Sequence, residues 1–159
     1  NDLSLLLKQF ITGFQSRSDA EIDLVITGEE WRLPGTVQVS LYRIAQEGLN
    51  NVLKHARADH VRVTLVYTPE TVALTVADDG RGFDPTRING ECMGVKIMRE
   101  RADSCKLQFS IHTAPQQGTR LSATGGQPPL ANIAVTQESM HVIAPELTET
   151  AHQEPTIYG

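Results

Sequence analysis

A strand that ends in two acids and a glycine is the first place on this chain where chemistry could be done: Val76-Ala77-Asp78-Asp79-Gly80-Arg81-Gly82-Phe83-Asp84. The run before it, Val72 to Val76, alternates large apolar with small or polar residues, the period-two pattern of a half-buried strand. Val72, Leu74 and Val76 share one face, and the same parity carries to Asp78, so its carboxylate is aimed at the core side. A carboxylate there is costly unless something hydrogen-bonds or pairs with it. Gly80 and Gly82 follow at once and allow backbone shapes that other residues avoid. The pattern points to a ligand site floored by Asp78 and walled by closely approaching backbone. Asp-Asp-Gly is also ordinary hairpin-turn chemistry, and the local sequence leaves both readings open.

A second group sits upstream. Glu47, Asn51 and Lys54 are spaced i, i+4, i+7, so on a regular helix they form one stripe within about 60°. That stripe lies opposite the apolar face centred on Ala45 and Val52. It suits a solvated face with a favourable Glu-to-Lys order. A carboxylate, an amide oxygen and an ammonium in a row are also what a magnesium triphosphate needs: hard oxygens for the metal and a point charge for phosphate. Gly94 and Val95 open a further helical pattern, whose first N–H groups and positive dipole end suit a phosphate. Gly118-Thr119 sets a hydroxyl at a strand start.

These residues need elements to hold them. Leu3, Leu6, Leu7, Phe10 and Phe14 recur at helical spacing after the N-cap residue Asp2, which predicts a helix over 3–15. Ile22, Leu24 and Ile26 alternate as a strand, and Gly28 to Gly35 reads as a loop. A long helix is expected from there to Ala56, then a hairpin of strands running to Tyr67 and from Thr71 to Asp78. Residues 81–93 are aperiodic and read as a mobile loop. A helix is predicted from Gly94 to Ser104. Next come a strand through Leu107, Phe109 and Ile111, begun by Cys105, and a last one through Thr119, Leu121 and Ala123. This order predicts an α/β (α+β) two-layer arrangement, with helices on one face of a mixed, mostly antiparallel sheet.

Four segments in register resemble the nucleotide boxes of bacterial sensor histidine kinases. Tyr42-Arg43-Ile44-Ala45-Gln46-Glu47-Gly48-Leu49-Asn50-Asn51-Val52-Leu53-Lys54-His55-Ala56 resembles the asparagine-containing box, in the pattern of nitrate and nitrite sensors and thermosensing desaturase regulators. Val76 to Phe83 resembles the first glycine box, Met98-Arg99-Glu100-Arg101-Ala102 the helix after the ATP lid, and Gln117-Gly118-Thr119 the closing glycine-threonine element. The resemblance covers about residues 20–124. It implies the sandwich ATPase fold shared with gyrase, heat-shock chaperone and mismatch-repair ATPases, with ATP and magnesium as cofactors. It also implies roles: Asp78 accepting the adenine amino proton, Asn51 on magnesium, Lys54 and His55 near the phosphates. Gly80 and Gly82 would let the loop pass close to the nucleotide, Gly94 and Val95 would face phosphate, and Thr119 would sit near adenine or its bridging water. Glu47 would activate the attacking group or position its water.

One departure falls in the lid. Where relatives carry a histidine and an aromatic residue before the glycine, this chain has Gly90-Glu91-Cys92-Met93-Gly94. None of His55, His60, His112, His141 and His152 is followed by an acid in a helical repeat, so the phosphate-accepting histidine is expected on a dimerisation domain elsewhere in the parent protein. Residues 1–18 then read as a connection from that domain, 19–124 as the ATP-binding domain, and 125–159, rich in Thr, Glu, Gln and Pro, as a flexible tail. A chain that opens on Asn1 reads as a fragment. The implied partners are ATP, the dimerisation domain and a response-regulator receiver domain. A net charge of −5 argues against nucleic acid, and no apolar run reaches the roughly 18 residues of a membrane span. Cys92 and Cys105 fit no metal or disulfide spacing, so a reducing cytoplasmic setting is expected, which is compatible with a parent anchored in the bacterial inner membrane. Two other functions fit the same motifs: a non-catalytic nucleotide- or partner-binding regulatory module, and an ATP-hydrolysing conformational switch.

Overall fold

The computed structural model describes residues 2–84 and 93–126. Helix α1 (Leu3–Gln15) starts where Asp2 accepts the Ser4 N–H, and its Leu3, Leu7, Ile11 and Phe14 are buried. Strand β1 (Glu21–Thr27) follows, then α2 (Gly35–Asn51), β2 (His60–Tyr67) and β3 (Thr71–Asp78). After residues 85–92 come α3 (Met93–Ser104), β4 (Gln108–Thr113) and β5 (Thr119–Gly126). Residues 81–84 of the expected loop carry no regular element, whereas Met93 already belongs to α3; Gly90, Glu91 and Cys92 lie outside the described residues. The expected tail from 127 onward also lies outside them, while Gly125 and Gly126 pair with Val72 and Thr71 as the end of β5.

The five strands form one sheet in the order β1-β2-β3-β5-β4. β1 and β2 are parallel, as they must be when a helix makes the crossover between them; every other pairing is antiparallel. The mixed, mostly antiparallel sheet is therefore as expected. Alternate residues of β2 and β3, among them Val61, Val63, Leu65, Val72, Leu74 and Val76, are buried with Leu41, Ile44, Leu49 and Met98 of the helices. α1 contributes to the same core, against α2 and β1.

Two local expectations need correction. The long helix does not run regularly to Ala56: α-helical geometry ends at Asn51, and Val52–Ala56 forms a π-turn. The Val52 N–H is shared between the Gly48 and Leu49 carbonyls, and the Ala56 carbonyl accepts instead from the distant Arg81 N–H at 2.7 Å. Arg57, with φ of 51°, then turns the chain left-handed. Cys105 does not begin a strand. It lies in the turn after α3, its sulfur 3.1 Å from Ser40 Oγ, and β4 starts only at Gln108, after Leu107.

Candidate active site

The site is built on one row across the sheet. Cross-strand pairing places Thr113 opposite Thr119, and Thr119 opposite Asp78. Directly opposed residues share a face, so all three project to the helical side at the end of the sheet. The next row inward is Ile111, Leu121 and Val76, which supplies an apolar floor. Asp78 Oδ1 accepts the Gly80 N–H at 2.8 Å. Burial pushes the Asp78 carboxyl above the usual range, and the N–H groups of Gly80 and Thr119 partly offset that by stabilising the anion. The inward-facing acid inferred from strand parity is thus present, half-buried and anchored on one oxygen.

Asp79, one residue on, faces outward. Its Oδ1 accepts the N–H groups of Asp59 and His60, both at 2.9 Å, and its Oδ2 lies 3.1 Å from His60 Nδ1. The backbone N–H of His60, then the imidazole, hold this carboxyl below its ordinary value. Asp79 thereby ties the end of β3 to the segment leaving the π-turn, a role the sequence reading did not assign it.

The opposite wall comes from α2 and the π-turn. Gly48 lets the helix lie close over the sheet, since a Cβ there would come within 2.9 Å of Leu121 Cδ2. Asn51, Val52, His55 and Ala56 follow along the wall. Lys54 does not: the π-turn changes the angular step after Asn51, and Lys54 is exposed and off the wall. The single stripe of Glu47, Asn51 and Lys54 is therefore broken at its last member. Glu47 and Asn51 stay together, for a Cβ on Gly94 would overlap Glu47 Oε1 and lie 3.3 Å from Asn51 Oδ1. A carboxylate and an amide oxygen thus border the first turn of α3.

The third wall is the segment after Asp79. Gly80 sits against the Ala56 carbonyl with no room for a side chain, behind the cavity surface. Gly82 has φ of 60° and Gly118 has φ of 73°, where L-residues are strained. A Cβ on either would also overlap a neighbouring carbonyl, of Ala114 and Asp78 respectively. The Thr113 hydroxyl joins these crossings: it accepts the Phe83 N–H at 3.1 Å and contacts the Gly118 carbonyl at 3.1 Å and Thr119 Oγ1 at 3.0 Å.

Together these walls enclose a cavity of about 290 Å3. Of the residues expected in a site, Asn51, His55, Asp78, Gly82, Gly94, Val95 and Thr119 line it. Glu47 adjoins its α3 end, Gly80 supports it from behind, and Lys54 is outside. Arg81 and Phe83 also line the cavity and had not been singled out; they lie inside the quoted glycine run, one residue from glycines that were. A cavity with an apolar floor and one fixed carboxylate at its base, with Asn51, His55, Arg81 and Thr119 also in its lining, and bordered by a helix N-terminus beside hard oxygens, suits a purine at one end and phosphates at the other.

Comparison with known proteins shows the family and the fold. Residues 36–127, more than half the chain, match the family described as Histidine kinase-, DNA gyrase B-, and HSP90-like ATPase. The signal transduction histidine-protein kinase/phosphatase DegS of Brevibacillus brevis is 33% identical over 123 residues, covering 76% of this chain and 32% of that protein. The sensor protein VraS of Staphylococcus saprophyticus is 34% identical over 93 residues, covering 58% and 27%. The chain therefore spans about a third of the length of such relatives, or less. Among solved structures, the histidine kinase domain of an Erythrobacter litoralis blue-light activated histidine kinase superposes with a TM-score of 0.62 at 20% identity, covering 77% of this chain and 60% of that one. Acinetobacter baumannii histidine kinase AdeS superposes with a TM-score of 0.68 at 10% identity, covering 80% and 66%. At those identities the superpositions establish the fold.

Proposed function

The chain belongs to the histidine kinase-, DNA gyrase B- and HSP90-like ATPase family, as an ATP-binding catalytic domain of the histidine kinase kind, and we propose that it binds MgATP in the Asp78 cavity and donates the γ-phosphoryl group to a histidine on a dimerisation domain of its parent protein. The observation that carries the reading is Asp78 itself. It is a half-buried carboxylate with one oxygen anchored by Gly80, at the base of the cavity beside the apolar floor of Val76, Ile111 and Leu121. It accepts a hydrogen bond from the adenine amino group, while Val76, Ile111, Leu121 and Met98 cover the ring.

At the other end, the first N–H groups of α3 at Gly94 and Val95 receive phosphate oxygens, and His55 approaches from the π-turn. Glu47 and Asn51 present a carboxylate and an amide oxygen side by side at Gly94, a donor set that fits magnesium, which takes one or two protein oxygens and keeps phosphates and waters for the rest. Bound there, the ion supplies charge neutralisation on the transferred group. Phosphoryl transfer is largely a matter of positioning and electrostatics. Asn51 orients the phosphate end, Glu47 accepts or positions the proton of the attacking group, and Lys54, off the wall, acts only at longer range.

By this reading residues 1–18 connect to the dimerisation domain, and the nucleotide domain, read over 19–124, runs on to the end of β5 at Gly126. The phosphate passes to a response-regulator receiver domain in the cytoplasm. Among the described residues no helix is long and apolar enough to cross a membrane. A MgATP titration of the chain followed by incubation with the histidine-bearing domain tests the proposal: saturable binding and acid-labile phosphate on the partner are expected. Binding without transfer would indicate a regulatory module. Phosphate released to water instead would favour a hydrolytic switch, for which Glu47 beside the α3 start is the relevant base.

A further inference from the structure

We propose that Thr113, which does not line the cavity, sets the polarity of Thr119 and so makes the site prefer a 6-amino over a 6-oxo purine; this rests on reading the Asp78 cavity as the purine site. The Thr113 hydroxyl has one proton to donate and two lone pairs to accept with. Thr113 Oγ1 accepts the Phe83 N–H at 3.1 Å, which spends one lone pair. Its own proton can reach the Gly118 carbonyl at 3.1 Å or Thr119 Oγ1 at 3.0 Å; the Phe83 carbonyl, at 3.5 Å, is at the limit for a hydrogen bond. Gly118 is buried, and its carbonyl loses this donor if Thr113 turns its proton elsewhere.

The arrangement that satisfies every group sends the Thr113 proton to Gly118 and has the Thr119 hydroxyl donate to Thr113. Thr119 then shows only lone pairs to the cavity. Asp78, its cross-strand neighbour, is likewise an acceptor. A ligand edge between them must donate, as an exocyclic amine does and a 6-oxo group does not. The polarity is the same through a bridging water whose two protons go to Asp78 and Thr119. Thr113 is therefore a positioning residue acting through Thr119.

The test is calorimetric titration with MgATP and with magnesium inosine triphosphate, using wild type, Thr113→Val, Thr113→Ser and Thr119→Val, with thermal melts to confirm folding. Wild type should prefer ATP. Thr113→Val keeps the shape but frees the Thr119 proton, so the ATP-to-inosine-triphosphate affinity ratio should fall by at least about fivefold, the scale of one hydrogen bond. Thr113→Ser should keep the ratio. In a Thr119→Val background, adding Thr113→Val should not lower the ratio further. If Thr113→Val does not fold, Thr113→Ala carries the same expectation. A ratio unchanged without the Thr113 hydroxyl, or lost in Thr113→Ser, overturns the inference even when wild type binds ATP. No ATP binding by wild type would instead refute the purine-site reading beneath it.

Discussion

Asp78 and Asp79 are adjacent on the chain, yet the strand pleat sends one carboxylate into the nucleotide cavity and the other to the outer surface. Asp78 meets a half-apolar environment, has one oxygen held by Gly80, and titrates above the usual range because burial outweighs its N–H partners. Asp79 meets water and three donors from Asp59 and His60, and titrates below it. The difference separates two tasks often attributed together to an Asp-Asp-Gly run. The inward acid retains unused acceptor capacity at a cost in stability, as a binding group must. The outward acid is fully engaged and holds the π-turn exit against the end of β3, so that His55 and Asn51 stand across from Asp78.

Exchanging the inward acid should have the largest effect. Asp78→Asn replaces an acceptor by a donor toward the adenine amine and should weaken ATP binding by at least about 1.5–3 kcal/mol, measured by titration calorimetry. Its stability should move the other way. A carboxyl whose folded pKa is raised contributes stability below its unfolded pKa and loses it as pH rises through the folded one, so at neutral pH the Asp78 charge is a net cost. The ligand-free variant, which keeps an oxygen for Gly80, should melt no lower than wild type. ATP affinity of the wild type should fall on acidification through that raised pKa. A variant that loses stability and keeps ATP would reverse the roles of the two acids.

A smaller, opposite pattern is expected outside. Asp79→Ala removes the acceptor from two backbone N–H groups and should destabilise the domain by about 0.5–1 kcal/mol in urea unfolding, at the low end for hydrogen bonds because water replaces it. ATP binding should weaken less than in Asp78→Asn. The depressed folded pKa of Asp79 means that its stabilisation is present above the unfolded value and is lost as pH falls through the folded one. An unchanged unfolding midpoint would show that this clasp holds nothing.

The smallest effect concerns His60. Its hydrogen bond to Asp79 raises the imidazole pKa above its ordinary 6.5. NMR titration should show that elevation in wild type and its loss in Asp79→Asn. The associated stabilisation is present below 6.5 and disappears as pH rises through the raised value, and being fully exposed it should fade with salt. Equal His60 titration in both proteins would sever the link between the imidazole and Asp79.

The same comparison shows what the sequence could reveal. Asp78 was legible because strand parity is strictly periodic, and Glu47 with Asn51 because four residues of α-helix bring them together. Lys54 was misplaced because the π-turn is imposed from outside the segment, by the Arg81 N–H on Ala56 and the grip of Asp79 on Asp59 and His60. No periodicity within Val52–Ala56 encodes those contacts. Thr113 was missed although a signal existed: paired strands ending and starting around the turn at Pro115–Gly118 put it opposite Thr119. Cys105 was read into a strand from the alternation of its neighbours, whereas its sulfur packs against Ser40 and Thr36 of α2.

On the proposed function, nucleotide binds on the Asp78 side of the strand end and not the Asp79 side. The most direct measurement is a residue-resolved amide NMR titration of the wild-type chain with MgATP. The Gly80, Thr119 and Gly94 amides should shift together along one saturation curve, while those of Asp59 and His60 stay nearly fixed. Shifts centred on Asp59 and His60, with Gly80 and Thr119 unmoved at saturation, would contradict the claim.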